Sequence, residues 1–249
     1  MSSEKPITRE NLNEYLKALA KEFRKLNGVE TPAEIILIGG AAVLANYGFR
    51  ETTYDIDAII HASSAMKDAI NHIGDRFGLP HGWFNADFQR TASYSDRLHE
   101  VSVYYKTYSN VLQIRTVAAE YLIAMKLISG RAYKNDLSDV AGILLEHQRR
   151  GEPIERTAID TAVKKLYGEV TLPETSTELL DAAFTSGDYE KLYRESRESE
   201  KLSKEILVEF ERDYPNTLKG ENIDDIIEQA KRKRAAAQVQ ICASNGKKQ

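Results

Sequence analysis

Two aspartates stand two positions apart in a segment with the composition of a β-strand. Residues Tyr54 to His61 are rich in isoleucine, and strand side chains alternate between the two faces of a sheet. We therefore expect Asp55 and Asp57 to lie on the same face. Two carboxylates placed in this way can bind one divalent ion, and oxygen ligands suit Mg²⁺ or Mn²⁺, which also bind substrate phosphates. The pair predicts a metal site.

A pair of glycines precedes this segment and ends another short apolar run. Ile35 to Ile38 predicts a buried strand, and Gly39 and Gly40 separate it from Ala41 to Tyr47, which favours a helix. Glycine allows a tight turn and a close approach to a ligand, and the free N–H groups that open a helix attract phosphate. Each feature alone has a simpler explanation, a plain turn or two solvated carboxylates. Together they predict a phosphate-binding turn beside a metal site.

A lysine on a mostly apolar predicted helix is the next candidate. Ala118 to Ile128 has helical spacing, and Lys126 lies beside its apolar stripe, so its ammonium could reach a triphosphate while its stem stays packed. A lysine that extends into solvent is the alternative. Asp136 and Asp139 open the following predicted helix at i and i+3. The helix dipole alone favours carboxylates there, so a structural role is as well supported as a functional one.

The first of these patterns resembles a known superfamily. The glycine pair, a short helix and the run Arg50-x-x-Thr53-x-Asp55-Ile56-Asp57 are similar to the nucleotidyltransferases related to DNA polymerase β. The Gly-Gly and Asp-x-Asp motifs are specific for that superfamily.

A later segment of the chain indicates a particular branch of this superfamily. From Arg115 through Lys126 and Arg131 to Asp139, the chain resembles the minimal bacterial branch that includes the AbiEii-like toxins of type IV toxin–antitoxin systems. The resemblance spans roughly residues 35–146.

This resemblance implies an activity and a set of site residues. The enzyme would transfer a nucleoside monophosphate from an NTP to a hydroxyl of RNA, such as a tRNA 3′ end, or of a protein, with Mg²⁺ or Mn²⁺ as cofactor. An antitoxin partner would follow from the toxin analogy. The implied catalytic residues are Asp55, Asp57 and Lys126, with both aspartates as metal ligands. The implied nucleotide-binding residues are Gly39, Gly40, Ala41, Arg50, Thr53, Arg131, Asp136 and Asp139.

The sequence departs from the superfamily pattern in two places. Many members have serine after the glycine pair, whereas this chain has Ala41, so the backbone must hold the phosphates. A third carboxylate completes the metal site in fully active members. Glu100 is the best candidate for it, Asp96 is the second, and the absence of any such carboxylate is the remaining alternative. A nucleotidyltransferase-like module that binds nucleotide or a partner without turnover is therefore the rival hypothesis.

The spacing of apolar residues predicts an α/β fold, with a small mixed sheet flanked by helices and followed by an all-helical region. Strands and helices mix up to about residue 117, with further strands at Leu98 to Tyr105 and Asn110 to Val117. Thr175 to Glu178 has the spacing of a helix capping box. We predict a nucleotidyltransferase-like domain at residues 1–150 and a helical region at 151–249. The helical region is expected to govern partner choice or assembly and not nucleotide chemistry.

Composition excludes several classes of protein. The 249 residues are 42% hydrophobic and carry a net charge of −4, which excludes a disordered chain and argues against binding of nucleic acid by bulk charge. A single cysteine, Cys242, excludes an intrachain disulfide, and no apolar segment is long enough to span a membrane. We expect a soluble, cytoplasmic protein without a membrane partner. The histidines show no metal-ligand spacing and are interpreted as ordinary: His61, His72, His81, His99 and His147.

Overall fold

The computed structural model describes the backbone of residues 5–245 and the side chains of residues 5–234, so Cys242 lies outside the described side chains. Helices and strands alternate up to residue 117, and the chain is helical beyond it. The strands are β1 (Ala33–Leu37), β2 (Ile56–His61), β3 (Phe84–Asn85), β4 (Ser102–Tyr108) and β5 (Leu112–Val117). The helices are α1 (Arg9–Asn27), α2 (Gly39–Asn46), α3 (Ala65–Phe77), α4 (Ala119–Ser129), α5 (Asp136–Arg149), α6 (Arg156–Tyr167), α7 (Glu174–Ser186), α8 (Tyr189–Asp213) and α9 (Ile223–Asn245).

The strands form one mixed sheet in the order β3-β2-β1-β5-β4. The central strand β1 pairs antiparallel with β2 and parallel with β5, while β3 adds to β2 in parallel and β4 to β5 in antiparallel orientation. Ile35, Ile36 and Leu37 are all fully buried, which explains why the second half of β1 is a continuous apolar run and not an alternating one. The predicted α/β class is confirmed.

Helices cover the sheet and then pack on one another. α1 packs against α3 and buries an apolar stripe that includes Leu12, Leu16 and Phe23. The later helices form a layered group in which α4 contacts α5 and α6, and α5 contacts α8. This second group brings residues near position 200 back to the first half of the chain. Within residues 5–245, none of the helices is long and apolar enough to cross a membrane.

Several predicted boundaries differ from the observed ones. β2 begins at Ile56 and not at Tyr54, and β4 begins at Ser102 because a short 3₁₀-helix, Asp96–Leu98, occupies the preceding residues. The capping box predicted at Thr175 to Glu178 is wrong. α7 already begins at Glu174, because Pro173, with its fixed φ, takes the N-cap position and its carbonyl accepts bonds from the first turn.

Candidate active site

A cleft of about 1160 Å³ opens where β1 ends and β2 begins. It is bounded by the glycine turn, the segment that leads into β2, the end of α4, the α4–α5 connection and one face of α8. Most residues implied by the sequence line it: Gly39, Gly40, Arg50, Thr53, Asp55, Asp57, Lys126, Arg131 and Asp136. The two others lie behind its wall, since the Ala41 side chain is buried in the core and Asp139 is buried behind Arg50.

The glycine turn is in close contact with the side chains around it. Gly39 has φ +55°, and the Asp57 carboxylate lies 3.4 Å from where a Cβ on Gly39 would be. A Cβ on Gly40 would lie only 2.7 Å from Arg50 Nη2 and from Thr53 Oγ1. Both positions therefore require glycine, one for its backbone conformation and the other for space.

The N-terminus of α2 faces this turn without a cap of its own. The preceding residue, Ile38, provides no capping side chain, and the first turn of α2 contains no acidic residue. The N–H groups of this turn are therefore available to an anion in the cleft, and the helix dipole favours one there.

The two aspartates come to the same cleft, as predicted. Asp57 is partly buried in β2, its carbonyl accepts a 3.0 Å hydrogen bond from the N–H of Ile38, and Asp55 is exposed just before the strand. Burial raises the pKa of the Asp57 carboxyl to about 6, and the negative charge of Asp55 adds to this rise, while a hydrogen bond from Asn85 opposes it. The positive charges of Lys126 and Arg131 offset only part of this rise. A divalent cation fits the two aspartates on charge and on ligand chemistry.

Lys126 belongs to a buried group of ion pairs. Its Nζ lies 2.9 Å from Asp136 Oδ1 and 2.9 Å from Asp139 Oδ2. Burial disfavours the charged ammonium, but the two carboxylates outweigh it and raise the pKa of Lys126. Arg131 Nε donates to Asp136 Oδ2 at 2.8 Å, and Arg50 pairs with Asp139. Each carboxylate therefore lies between two cations.

This arrangement defines what Asp136 and Asp139 do in the structure. Burial alone would raise the pKa of the Asp136 carboxyl, but Lys126 and Arg131 hold it well below its usual range. Both carboxylates are engaged by cations, and they fix the positions of Lys126, Arg131 and Arg50 at the cleft wall. Their structural role is thus visible, whereas a direct contact of either one with nucleotide stays a prediction.

The expected third carboxylate is not where the sequence suggested. Glu100 and Asp96 are both exposed, on the segment that leads into β4, and neither lines the cleft. The residue directly opposite Asp57 in the sheet is Asn85 of β3, and Asp87 follows it in the cleft wall. The backbone N–H of Asp87 donates to Asn85 Oδ1 at 2.9 Å. An amide and a nearby carboxylate therefore take the place expected for a third acid.

α8 contributes side chains to the cleft that the sequence did not predict. Arg197, Lys204, Leu207 and Val208 line the cleft. Lys204 Nζ donates to Asn135 Oδ1 at 2.6 Å in the α4–α5 connection. Helical periodicity would have placed Arg197 and Lys204 on one face, because they are seven residues apart, but nothing local indicates what that face contacts.

α8 also fixes the start of α5. The buried Glu200 accepts hydrogen bonds from the N–H groups of Leu137 (3.0 Å) and Ser138 (3.1 Å) through one oxygen, Oε1. It thereby supplies the N-terminal cap that α5 lacks in its own sequence. Burial raises the pKa of Glu200 to about 7, because it outweighs these hydrogen bonds.

The comparisons with known proteins agree with this geometry. The model of a family described as "Nucleotidyltransferase of unknown function (DUF6036)" matches residues 14–170. Neither the curated proteins nor the solved structures gave a match. The matched segment is more than half of the chain and contains the glycine turn, both aspartates and the Lys126 ion pairs. This protein therefore belongs to that nucleotidyltransferase family.

Proposed function

We propose that this protein transfers a nucleoside monophosphate from an NTP to an acceptor hydroxyl, with Mg²⁺ or Mn²⁺ bound by Asp55 and Asp57. One observation carries the proposal. The partly buried Asp57, with the exposed Asp55 beside it, lies against a glycine turn, and that turn opens a helix whose N-terminal N–H groups are available to phosphate. A metal site and a phosphate site that share one glycine turn fit a substrate that carries both, a metal-bound triphosphate.

The surrounding residues have separable tasks in this proposal. The first turn of α2 binds phosphate oxygens through the backbone, which compensates for the alanine at position 41. Arg131, and Arg50 on the other side, lie where they can stabilise the charge on the pyrophosphate leaving group. Lys126 positions them through the shared carboxylates of Asp136 and Asp139. Asp55 and Asp57 would hold the ion, which would supply Lewis-acid polarisation of the α-phosphate.

The charge of the cleft favours RNA as the acceptor. Six Lys and Arg side chains line it against four Asp side chains, although the whole chain has a net charge of −4. Two of these cations, Arg197 and Lys204, lie on α8, away from the metal pair along the chain. A basic contribution from α8 to the wall of the cleft suits a polyanionic acceptor, for example a tRNA 3′ end. A protein hydroxyl is the other acceptor class, and a protein acceptor would not require these basic side chains.

The toxin role of the AbiEii-like proteins is carried over by resemblance alone. In that setting an antitoxin would be the natural partner, and coexpression would relieve growth arrest caused by this chain. A cytoplasmic location belongs to the same proposal.

A second candidate function rests on Asn85. Because an amide stands opposite Asp57, the metal site has one charged ligand fewer than a fully active member would have. The protein would then bind nucleotide and a partner without turnover. Asp87, two residues further along, would supply the missing charge in the catalytic alternative.

Turnover distinguishes the two candidates. Pyrophosphate release and label transfer from each of the four α-³²P-NTPs to total RNA would be measured with the full chain, with and without Mg²⁺. We expect Mg²⁺-dependent labelling of RNA by the wild type. Asp57→Asn should abolish it while leaving the fold intact, because removing one of two like charges relieves repulsion. Asp75→Asn, an exposed aspartate near the end of α3, is the matched control.

Each outcome has a definite meaning. Nucleotide binding without pyrophosphate release would select the binding module. Labelling of protein and not RNA would reassign the acceptor. Equal activity of Asp57→Asn and Asp75→Asn would overturn the proposed metal site.

A further inference from the structure

A second cluster of ligand-bearing side chains lies at the other end of the sheet. Glu34 near the start of β1, His61 at the end of β2 and His99 in the segment before β4 bring one ligand atom each to within 4.8 Å of one another. Glu34 and His61 are direct partners in the antiparallel β1–β2 register. Since His61 is four residues beyond Asp57, the cluster lies about 13 Å along β2 from the aspartate pair. It is therefore separate from the cleft.

The spacing of these atoms suits a small ion. His99 Nε2 lies 3.1 Å from Glu34 Oε1, and the rings of His61 and His99 are 5.4 Å apart and nearly perpendicular. Neighbouring ligands on a tetrahedral Zn²⁺ are about 3.3 Å apart, as follows from bonds of about 2.0–2.1 Å. Both histidines are exposed side chains at the rim of the sheet, so small rotations bring all three atoms onto one ion.

The carboxylate is held in place from behind. Its second oxygen, Glu34 Oε2, accepts a 3.1 Å hydrogen bond from Gln113 Nε2 on β5 and lies 3.8 Å from Arg115 Nε. The Arg115 guanidinium itself donates hydrogen bonds to the hydroxyl and the carbonyl of Ser102. Such outer contacts orient a ligating carboxylate, and here they leave Oε1 directed at the imidazoles. The nearby guanidinium also repels a cation, so we expect moderate and not tight binding.

We propose that Glu34, His61 and His99 form a binding site for a transition-metal ion, with Zn²⁺ the best match. Two imidazoles and one carboxylate are ligands that select Zn²⁺ and its neighbours over Mg²⁺, which prefers oxygen. Three protein ligands leave a fourth position for water. The bound ion links β1, β2 and the segment before β4, so it braces the end of the sheet opposite the cleft.

The chain contains a matched control pair. His72 Nδ1 on α3 lies 3.1 Å from Glu22 Oε1, the same separation as between His99 and Glu34, and the two histidines are similarly exposed, at 54% and 59%. Among the described residues, no third ligand group joins the His72 pair. If the proposed cluster is the metal site, His72→Ala should therefore bind the metal as tightly as the parent protein does.

The test is a Zn²⁺ titration of the full chain by calorimetry, with Co²⁺ absorption as a second readout of the ligand sphere. All proteins carry Cys242→Ser, because a thiol also binds zinc, and Mg²⁺ is kept in large excess to occupy carboxylate-only sites. We expect one Zn²⁺ per chain in the parent and in His72→Ala. His99→Ala and His61→Ala should each weaken binding by about tenfold or more and change the Co²⁺ spectrum.

Three results would overturn the proposal. One is no Zn²⁺ binding by the parent in excess Mg²⁺. Another is a loss of Zn²⁺ affinity in His99→Ala that is no greater than the loss of affinity in His72→Ala. The third is displacement of Zn²⁺ by Mg²⁺, which would indicate a site made of carboxylates alone. Circular dichroism of each variant verifies that a lost signal does not reflect an unfolded protein.

Discussion

Lys126 and Asp136 form an ion pair that is buried at both ends, with Nζ 2.9 Å from Oδ1 and side-chain exposures of 9% and 1%. Charges so far from water are stable only together, because either one alone would carry the full cost of desolvation. The loss of stability on removing one partner can therefore be measured. It should be large if Lys126 has a structural role, and small if Lys126 only extends into the cleft.

Replacing the lysine tests that structural role. Lys126→Met keeps an unbranched side chain that is one atom shorter and leaves two buried carboxylates with one cation fewer, so we expect a loss of about 3–5 kcal/mol in the free energy of unfolding. Urea titration measures it. Lys126→Met combined with Asp136→Asn should recover part of the loss, since it removes one of the orphaned charges. The exposed Lys17 gives the control, Lys17→Met. Similar values for the two single variants would show that the pair contributes little.

The glycine turn gives a prediction about space. Gly40→Ala places a Cβ about where Arg50 and Thr53 now pack, 2.7 Å from a polar atom of each. We expect nucleotide affinity to fall about tenfold, the equivalent of roughly one charge-assisted hydrogen bond, because Arg50 is displaced. The loss in stability should be on the order of 1 kcal/mol, since the gain in helix propensity offsets part of the overpacking. The larger Gly40→Val should lose more affinity.

Gly48→Ala is the matched control for that change, because a Cβ there meets nothing within 4 Å. Equilibrium dialysis with labelled NTP gives the affinities. An unchanged affinity in folded Gly40→Ala would move the phosphate site away from α2.

Glu200 gives a prediction about pH. Its pKa is raised from 4.5 to about 7 in the folded protein, so the folded state binds this proton more tightly than the unfolded state does. The stabilisation is complete below about pH 4.5 and is lost as the pH rises through 7. Over that window the stability of the wild type should fall by about 3 kcal/mol relative to Glu200→Gln, which cannot ionise and still offers an oxygen to Leu137 and Ser138.

The comparison is made by thermal and urea unfolding at several pH values. Glu198→Gln, an exposed neighbour on α8, should follow the wild type. A Glu200→Gln curve parallel to the wild type would show that Glu200 titrates normally.

The basic face of α8 gives a prediction about the acceptor. Arg197→Ala combined with Lys204→Ala should weaken RNA binding. It should also reduce the slope of log K for RNA against log salt concentration by about 0.7 for each phosphate that is no longer neutralised. Arg194→Ala with Lys201→Ala has the same seven-residue spacing on exposed positions that do not line the cleft, so it should leave the slope unchanged. Filter binding at several salt concentrations measures both. Loss of NTP affinity as well would assign the α8 face to the nucleotide site.

What could be predicted from the sequence was local in the chain. Gly39, Gly40, Asp55 and Asp57 lie within 19 consecutive residues, so a strand, a turn and the start of the next strand bring them to one place, although Asp55 itself precedes β2. The long helices could also be predicted from neighbouring residues alone, because their apolar residues recur at every turn. β3 was not predicted because two residues are too short to show a period.

The remaining site residues depend on tertiary contacts. Asn85 reaches Asp57 only through the β2–β3 register, and Lys204 reaches Asn135 only because α8 packs on α5. The same holds for His61 and His99, whose sequence spacing gives no metal motif although the structure brings them together. Glu100 was expected as the third acid from its place before a strand. The neighbouring His99 packs against His61, so this segment lies at the end of β2 that is away from the aspartate pair.

The position of α8 also bears on how such a protein can diversify. The family match ends at residue 170, whereas the wall formed by Arg197 and Lys204 comes from a later part of the chain. The groups proposed for chemistry and those proposed for acceptor choice are thus encoded in separate stretches. Under the proposed function, exchange of the C-terminal stretch between relatives would redirect the same reaction to a new acceptor, provided that a carboxylate like Glu200 still caps α5.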